Sequence, residues 1–216
     1  MASTHKPTAV SHLLASHVPG QERLRVLSAS GQLGFGIVQD SLARGLQRKP
    51  HFIGCDMGSI DPGPFYLGSG QMAAPKDMVL RDLELVLLAA RQLNVPLIIG
   101  SAGTAGAKPQ LAATLDLLQE VAQKHGLSFS VATVCSDVPR QILIAAVQDG
   151  RLKSLDPDGV ALPLPVPNPS QIELATHIVA QCGTHTFIEA LTHQPDVLIA
   201  GRSCDTAIFA ALPQML

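Results

Sequence analysis

PLIIGSAGTAG (96–106) decides the fold. Its apolar half has the length and β-branched content of a buried strand, and it stops abruptly at small residues. The same punctuation recurs in LRVLSASGQLGFG (24–36), HFIGCDMGS (51–59), FSVATVCSD (129–137) and DVLIAGRSCD (196–205). Each run ends in Ser, Gly, Asp or Cys and leads into a helical pattern. That alternation implies right-handed crossovers and a mostly parallel sheet with helices on both faces, a Rossmann-like layered α/β architecture. In such a sheet the strand ends gather along one edge, where ligands bind.

Outward from these runs, Val38, Leu42 and Leu46 mark one face of a helix near 37–48, which Pro50 ends. Residues 57–75, MGSIDPGPFYLGSGQMAAP, form a long Gly/Pro-rich loop. Its Pro62, Pro64, Phe65 and Tyr66 give it rigidity and something to bury, so it is expected to close over the strand ends as a lid, the alternative being a surface Ω-loop with no ligand role. A very apolar helix follows at 76–93. Leu111, Leu115 and Leu118 trace another, with Gly126 just past its end. Pro139 opens a helix over 139–148. The stretch 154–169 reads as a turn-rich connector, followed by helices near 170–182 and 184–193, divided by Gly183. Residues 1–22 read as a loose leader and 23–216 as a single α/β domain.

Charged residues make up only 15% of the 216 and hydrophobic ones 46%, which suits a sheet covered on both faces. A net charge of −2 gives no electrostatic case for nucleic acid or an anionic membrane, and one Tyr with no Trp offers no stacking platform. Cys55, Cys135, Cys182 and Cys204 are scattered without a CxxC, and read as reduced thiols of a cytoplasmic protein. The N-terminus lacks the apolar region of a secretory signal. No apolar run is long enough to span a bilayer.

The segment 24–56 partly fits a dinucleotide template, with a Gly-rich turn after one strand and Asp56 ending the next. Its glycines read GQLGFG rather than GxGxxG, so there is no strong motif for NAD or flavin. Backbone amides at this turn and at GSAGTAG (100–106) suit a small anion. Ser28, Ser30, Ser101 and Ser203 serve either as nucleophiles or donors, or simply as small residues that let the chain turn; none lies in GxSxG. Asp56, Asp61, Asp137 and Asp205 read three ways: as an acid–base cluster, as oxygen ligands of a divalent cation, or as helix caps. Arg202, just after a buried strand, needs a partner, either a protein carboxylate or a ligand carboxylate or phosphate. Cys135 and Cys204 read as small core hydrophobes rather than reactive thiols. The eight His, His177 and His185 among them, show no zinc-binding spacing.

Taken in order, LRVLSASGQLGFG, CDMGSIDPGPFYLGSG, LIIGSAGTAG and DVLIAGRSCDTAIFAALP resemble the acyclic terpene utilization family AtuA, over roughly residues 23–213. The resemblance implies a cytoplasmic α/β protein of citronellol- and geraniol-type catabolism acting among acyl-CoA intermediates. Its members accompany a biotin-dependent acyl-CoA carboxylase, whose subunits are implied partners, although this chain has no biotin-attachment motif. The matching positions are Ser30, Gly31, Asp56, Gly58, Ser59, Asp61, Pro62, Gly63, Gly100, Ser101, Gly103, Gly106, Gly201, Arg202 and Asp205. By location, Asp56, Asp61 and Ser101 are the catalytic candidates. Arg202 is the carboxylate anchor and GSAGTAG an oxyanion or phosphate cradle. Ser30, Gly31, Gly58, Ser59, Gly100, Gly103, Gly106 and Asp205 complete a ligand site with no assigned metal. The expected reaction is acid–base chemistry, a hydration, isomerisation or lyase step, on a small acidic or acyl-CoA molecule. The alternative is a non-catalytic ligand-binding or scaffold partner of the carboxylase. Self-association stays open. Family domains run to about twice this length, so the chain is expected to be a truncated or short member.

Overall fold

The computed structural model describes residues 7–18, 20–154 and 165–216. In chain order the described elements begin α1 (Ala9–Ser16), β1 (Val26–Ser30), α2 (Gln39–Leu46), β2 (Phe52–Asp56), α3 (Phe65–Ser69), α4 (Lys76–Leu93) and β3 (Leu97–Gly100). They continue α5 (Lys108–Lys124), β4 (Val131–Val134), α6 (Arg140–Gln148), α7 (Pro169–Leu174), α8 (Thr184–Thr192), β5 (Val197–Ala200) and α9 (Asp205–Met215). The five strands form one all-parallel sheet in the order β1-β2-β3-β5-β4. The fold is α/β, as the alternation predicts.

The strand sequences are continuous apolar runs because both faces are covered. Ile53, Cys55, Leu97, Ile99, Val197 and Ile199 pack into one hydrophobic layer, while Phe52, Ile98, Leu198 and Ala200 pack into the other. The central strands β2, β3 and β5 are buried throughout, and the edge strands β1 and β4 are partly exposed.

Handedness explains where the helices lie. The chain steps from β1 to β2, β3 and β4 in one direction, so right-handed crossovers put α2, α4 and α5 on the same face. From β4 it turns back and inserts β5 beside β3. The same handedness now sends α8 to the opposite face, where α1 and α9 join it. Adjacent strands β3 and β5 therefore feed helices on opposite faces. Such a switch point opens a crevice at the carboxyl ends of the strands.

Several expected boundaries change. Residues 9–16 of the expected loose leader are a helix, capped by the Thr8 hydroxyl, with Ala9, Val10 and Leu13 buried on the core. Asp196 is the reason it docks. Its carboxylate accepts from Ala9 N (2.9 Å), Ser130 N (2.8 Å), Ser130 Oγ (3.1 Å) and Arg91 Nη1 (2.6 Å), tying α1, α4 and the start of β4 to the amino end of β5. Burial pushes this carboxyl up, but those hydrogen bonds outweigh it and hold it below the usual range.

The helix expected over 170–182 stops at Leu174. Beyond it the chain runs along the strand ends, with Ala180 N bonding to Ser136 O and Cys182 N to Arg202 O. Those remote backbone partners outcompete the local helical pattern. Of the 154–169 connector, residues 155–164 lie outside the described residues. The 57–75 loop contains the short helix α3, in which Phe65 is exposed and meets Tyr66 edge-to-face. No helix among the described residues is long and apolar enough to cross a membrane.

Candidate functional site

The two Gly-rich turns have similar compositions and different fates. In GQLGFG, the amides of Gly34, Gly36 and Ile37 donate to the fully buried carboxylate of Asp82 on α4, at 2.9–3.0 Å. Arg81 balances the charge at 2.8 Å. The protein's own carboxylate thus occupies the place a phosphate would take in a dinucleotide fold. In GSAGTAG, Ser101 N and Ala102 N donate to Gly201 O and Ala200 O, and Gly106 N to Ala102 O. The following helix is closed too, because Ala107 N is held by Gln110 Oε1 and Lys108 N by Asp137 Oδ2. This turn locks β3 onto β5 more than it presents amides to a ligand.

That lock places Arg202. A Cβ at Gly106 (φ +71°) would run into the Arg202 backbone, and one at Gly58 into the backbone of Thr104. Only glycine allows these loops to touch. Arg202 is 5% exposed, with Nη1 donating to Thr104 O (3.1 Å) and Nη2 to Ser203 O (2.7 Å). Its nearest carboxylate is Asp205, 3.5 Å away and largely exposed. Its Nε is buried without a hydrogen-bond partner.

Arg202 walls a half-open cavity of about 410 Å³ at the switch point between β3 and β5. Ser59, Ile60, Pro64, Tyr66 and Leu67 of the 57–75 loop form one side, and Thr104, Val179 and Gln181 the other. Asp56 ends β2, with Gly100 as its neighbour in register, and is not among the residues that line the cavity. Asp56 Oδ1 accepts from Met57 N (2.9 Å) and Gly58 N (3.3 Å). Burial, then the Asp205 charge, push its pKa up to about 6, against the pull of those amides and of Arg202. It is a carboxyl poised to exchange a proton near neutral pH.

The other expected site residues separate. Asp205 opens α9, 3.5 Å from Arg202, and its charge reaches Asp56. Ser101 is fully buried, its hydroxyl bonded to Ser203 O at 3.3 Å, and so supports the turn from beneath. Asp61 is exposed in the loop, where its amide donates to Ser59 Oγ. Ser30 and Gly31 line a separate depression at the end of β1. Gly100 lies under Ile208 and Ser203, and Gly103 against Gln110. Asp137 caps α5 rather than joining Asp56. Cys204 sits at the N-cap position of α9 with no side-chain cap bond, and the Thr206 hydroxyl, 3.2 Å away, draws its thiol below the usual range.

Sequence reasoning missed Thr104, Gln181 and Gln110. Gln110 is buried and donates to Tyr66 O (3.0 Å) and Gln71 O (2.8 Å), pinning the 57–75 loop to α5. Its place three residues after the helix cap was the available signal.

Residues 71–214 match the family model described as acyclic terpene utilisation family protein AtuA. The chain belongs to this family. Membership brings, at the level of the family, a role in acyclic terpene utilisation. The matched span takes in GSAGTAG, Arg202 and Asp205, while Ser30, Asp56 and Asp61 precede it. Neither curated proteins nor solved structures provide a match.

Proposed function

We propose that this AtuA-family chain performs acid–base chemistry in the cytoplasm on a small acidic or acyl-CoA intermediate of acyclic terpene breakdown. The observation that carries the reading is Asp56, buried at a strand end within electrostatic reach of Arg202 and Asp205, its carboxyl pushed up to about 6. Arg202, buried with a free Nε, would anchor a carboxylate or polarise a thioester oxygen. Asp56, which does not itself line the cavity, would take or return the proton next to that carbonyl through an intervening water, a step shared by hydration, isomerisation and lyase reactions. The 57–75 loop would limit water.

The test is deuterium exchange. The protein is incubated in D2O with hexanoate or hexanoyl-CoA, and label at C2 is read by mass spectrometry. Exchange should exceed the blank, rise through about pH 6, and fall by roughly 100-fold or more in Asp56→Asn. Absence of exchange with both probes across the neutral range removes the reading.

A second reading, a non-catalytic partner of an acyl-CoA carboxylase, is favoured by Ile60 and Phe65, which are exposed by 72% and 63% beside the cavity. Native mass spectrometry with carboxylase subunits would show a complex if it holds and free chains if it does not.

A further inference from the structure

Thr104 holds a backbone conformation that its side chain opposes. Its φ is +91°, a region that β-branched residues avoid. The surrounding turn meets the same need with glycine at Gly103 (φ +63°) and Gly106 (φ +71°). A residue under such strain persists only where its neighbours enforce it, and such residues cluster at functional sites. The neighbours here are identifiable. Gly58 presses on the Thr104 backbone, and the Thr104 carbonyl accepts from Arg202 Nη1 at 3.1 Å.

The backbone role does not require threonine, since glycine would supply the same carbonyl without strain. Nor does the fold use the hydroxyl well. Its one hydrogen bond runs to Met57 O at 3.5 Å, the far limit of such a contact. Yet the residue lines the cavity next to Arg202 and is otherwise buried, 2% exposed.

We infer that Thr104 is a ligand-binding residue of the cavity, whose hydroxyl donates to the polar group that Arg202 anchors. Arg202 supplies the charge and Thr104 a directed O–H beside it. A ligand that presents two acceptor oxygens, such as a carboxylate, satisfies both. This assignment rests on the proposed function for the identity of the ligand, though not for the strain.

Three variants test it, each measured for thermal midpoint and for binding of hexanoate and hexanoyl-CoA. Thr104→Gly should raise the midpoint by roughly 2–10 °C through relief of strain, and weaken binding by about tenfold. Thr104→Val keeps the shape and the strain, so its midpoint should stay near that of the unmodified protein while its binding weakens similarly. Thr104→Ser restores the hydroxyl and should restore binding. A Thr104→Gly protein no more stable than the original overturns the inference whatever binds. If the original chain binds a probe and Thr104→Val binds it equally, the inference fails and the proposed function stands. If the original chain binds neither probe, both fall.

Discussion

Asp196 and Asp56 are buried carboxylates at opposite ends of one parallel sheet, and their surroundings shift them in opposite directions. At the amino end, Asp196 receives two backbone amides, a hydroxyl and the Arg91 guanidinium, all from the chain itself. At the carboxyl end, Asp56 receives two amides on a single oxygen and faces the like charge of Asp205. One end is completed by the protein. The other is left short of donors, next to a buried guanidinium that is itself short of acceptors. A parallel sheet concentrates its loops at its carboxyl end, and here that end keeps the Arg202 Nε available for something else.

The largest effect should come from breaking the completed end. Asp196→Ala leaves Arg91, Ala9 N and Ser130 without their acceptor, and should lower stability by about 3–5 kcal/mol in urea unfolding. A loss under about 1 kcal/mol would erase the distinction between the two ends. The pH dependence follows from the lowered pKa. The contribution of Asp196 is fully present above the unfolded carboxylate value and is lost as pH falls through the folded one.

Asp56 should behave in the opposite way. Its carboxyl is raised from 3.8 to about 6, so between those values the folded state binds more protons than the unfolded one. Stability therefore falls as pH rises across that window. Asp56→Asn should add roughly 1–3 kcal/mol at pH 7, allowing for solvent screening, and the gain should vanish near pH 4. Equal stability of variant and original at both pH values would mean that no strain is stored at the carboxyl end.

Glu84 sharpens the comparison as the surface case. It joins α4 to α5 through Lys124 (2.8 Å) and His125 (2.6 Å). Glu84→Gln should cost less than about 1 kcal/mol, because exposed pairs gain little over their hydration. A cost rivalling that of Asp196→Ala would show that burial is not what separates these carboxylates.

Much of the fold was legible because it is written in local pattern. The apolar runs place all five strands to within a few residues, and the 76–93 helix coincides with α4. Gly126, expected past the end of a helix, takes φ +60° after α5. Legibility failed where remote partners decide. Residues 175–182 carry apolar residues that suit a helix, but their backbone is paired with Ser136 and Arg202. Residues 9–16 look like a leader until Asp196 and a buried face are supplied from the far end of the chain.

The candidate site divides along the same line. The sequence alone determined that Asp56, Ser101, Arg202 and Asp205 end strands or follow them closely, since an apolar run and its polar stop are adjacent in the chain. Only the tertiary structure decided which of them meet. The insertion of β5 beside β3 brings Arg202 and Asp205 to Asp56, while Ser30 stays with the edge strand and Asp61 stays exposed in the loop. The reversal also decided that GSAGTAG would grip β5, while the packing of α4 against the first turn decided that Asp82 would fill GQLGFG. Strand order and the sharing of hydrogen bonds depend on contacts between residues far apart in sequence, and a pattern read along the chain carries no record of them.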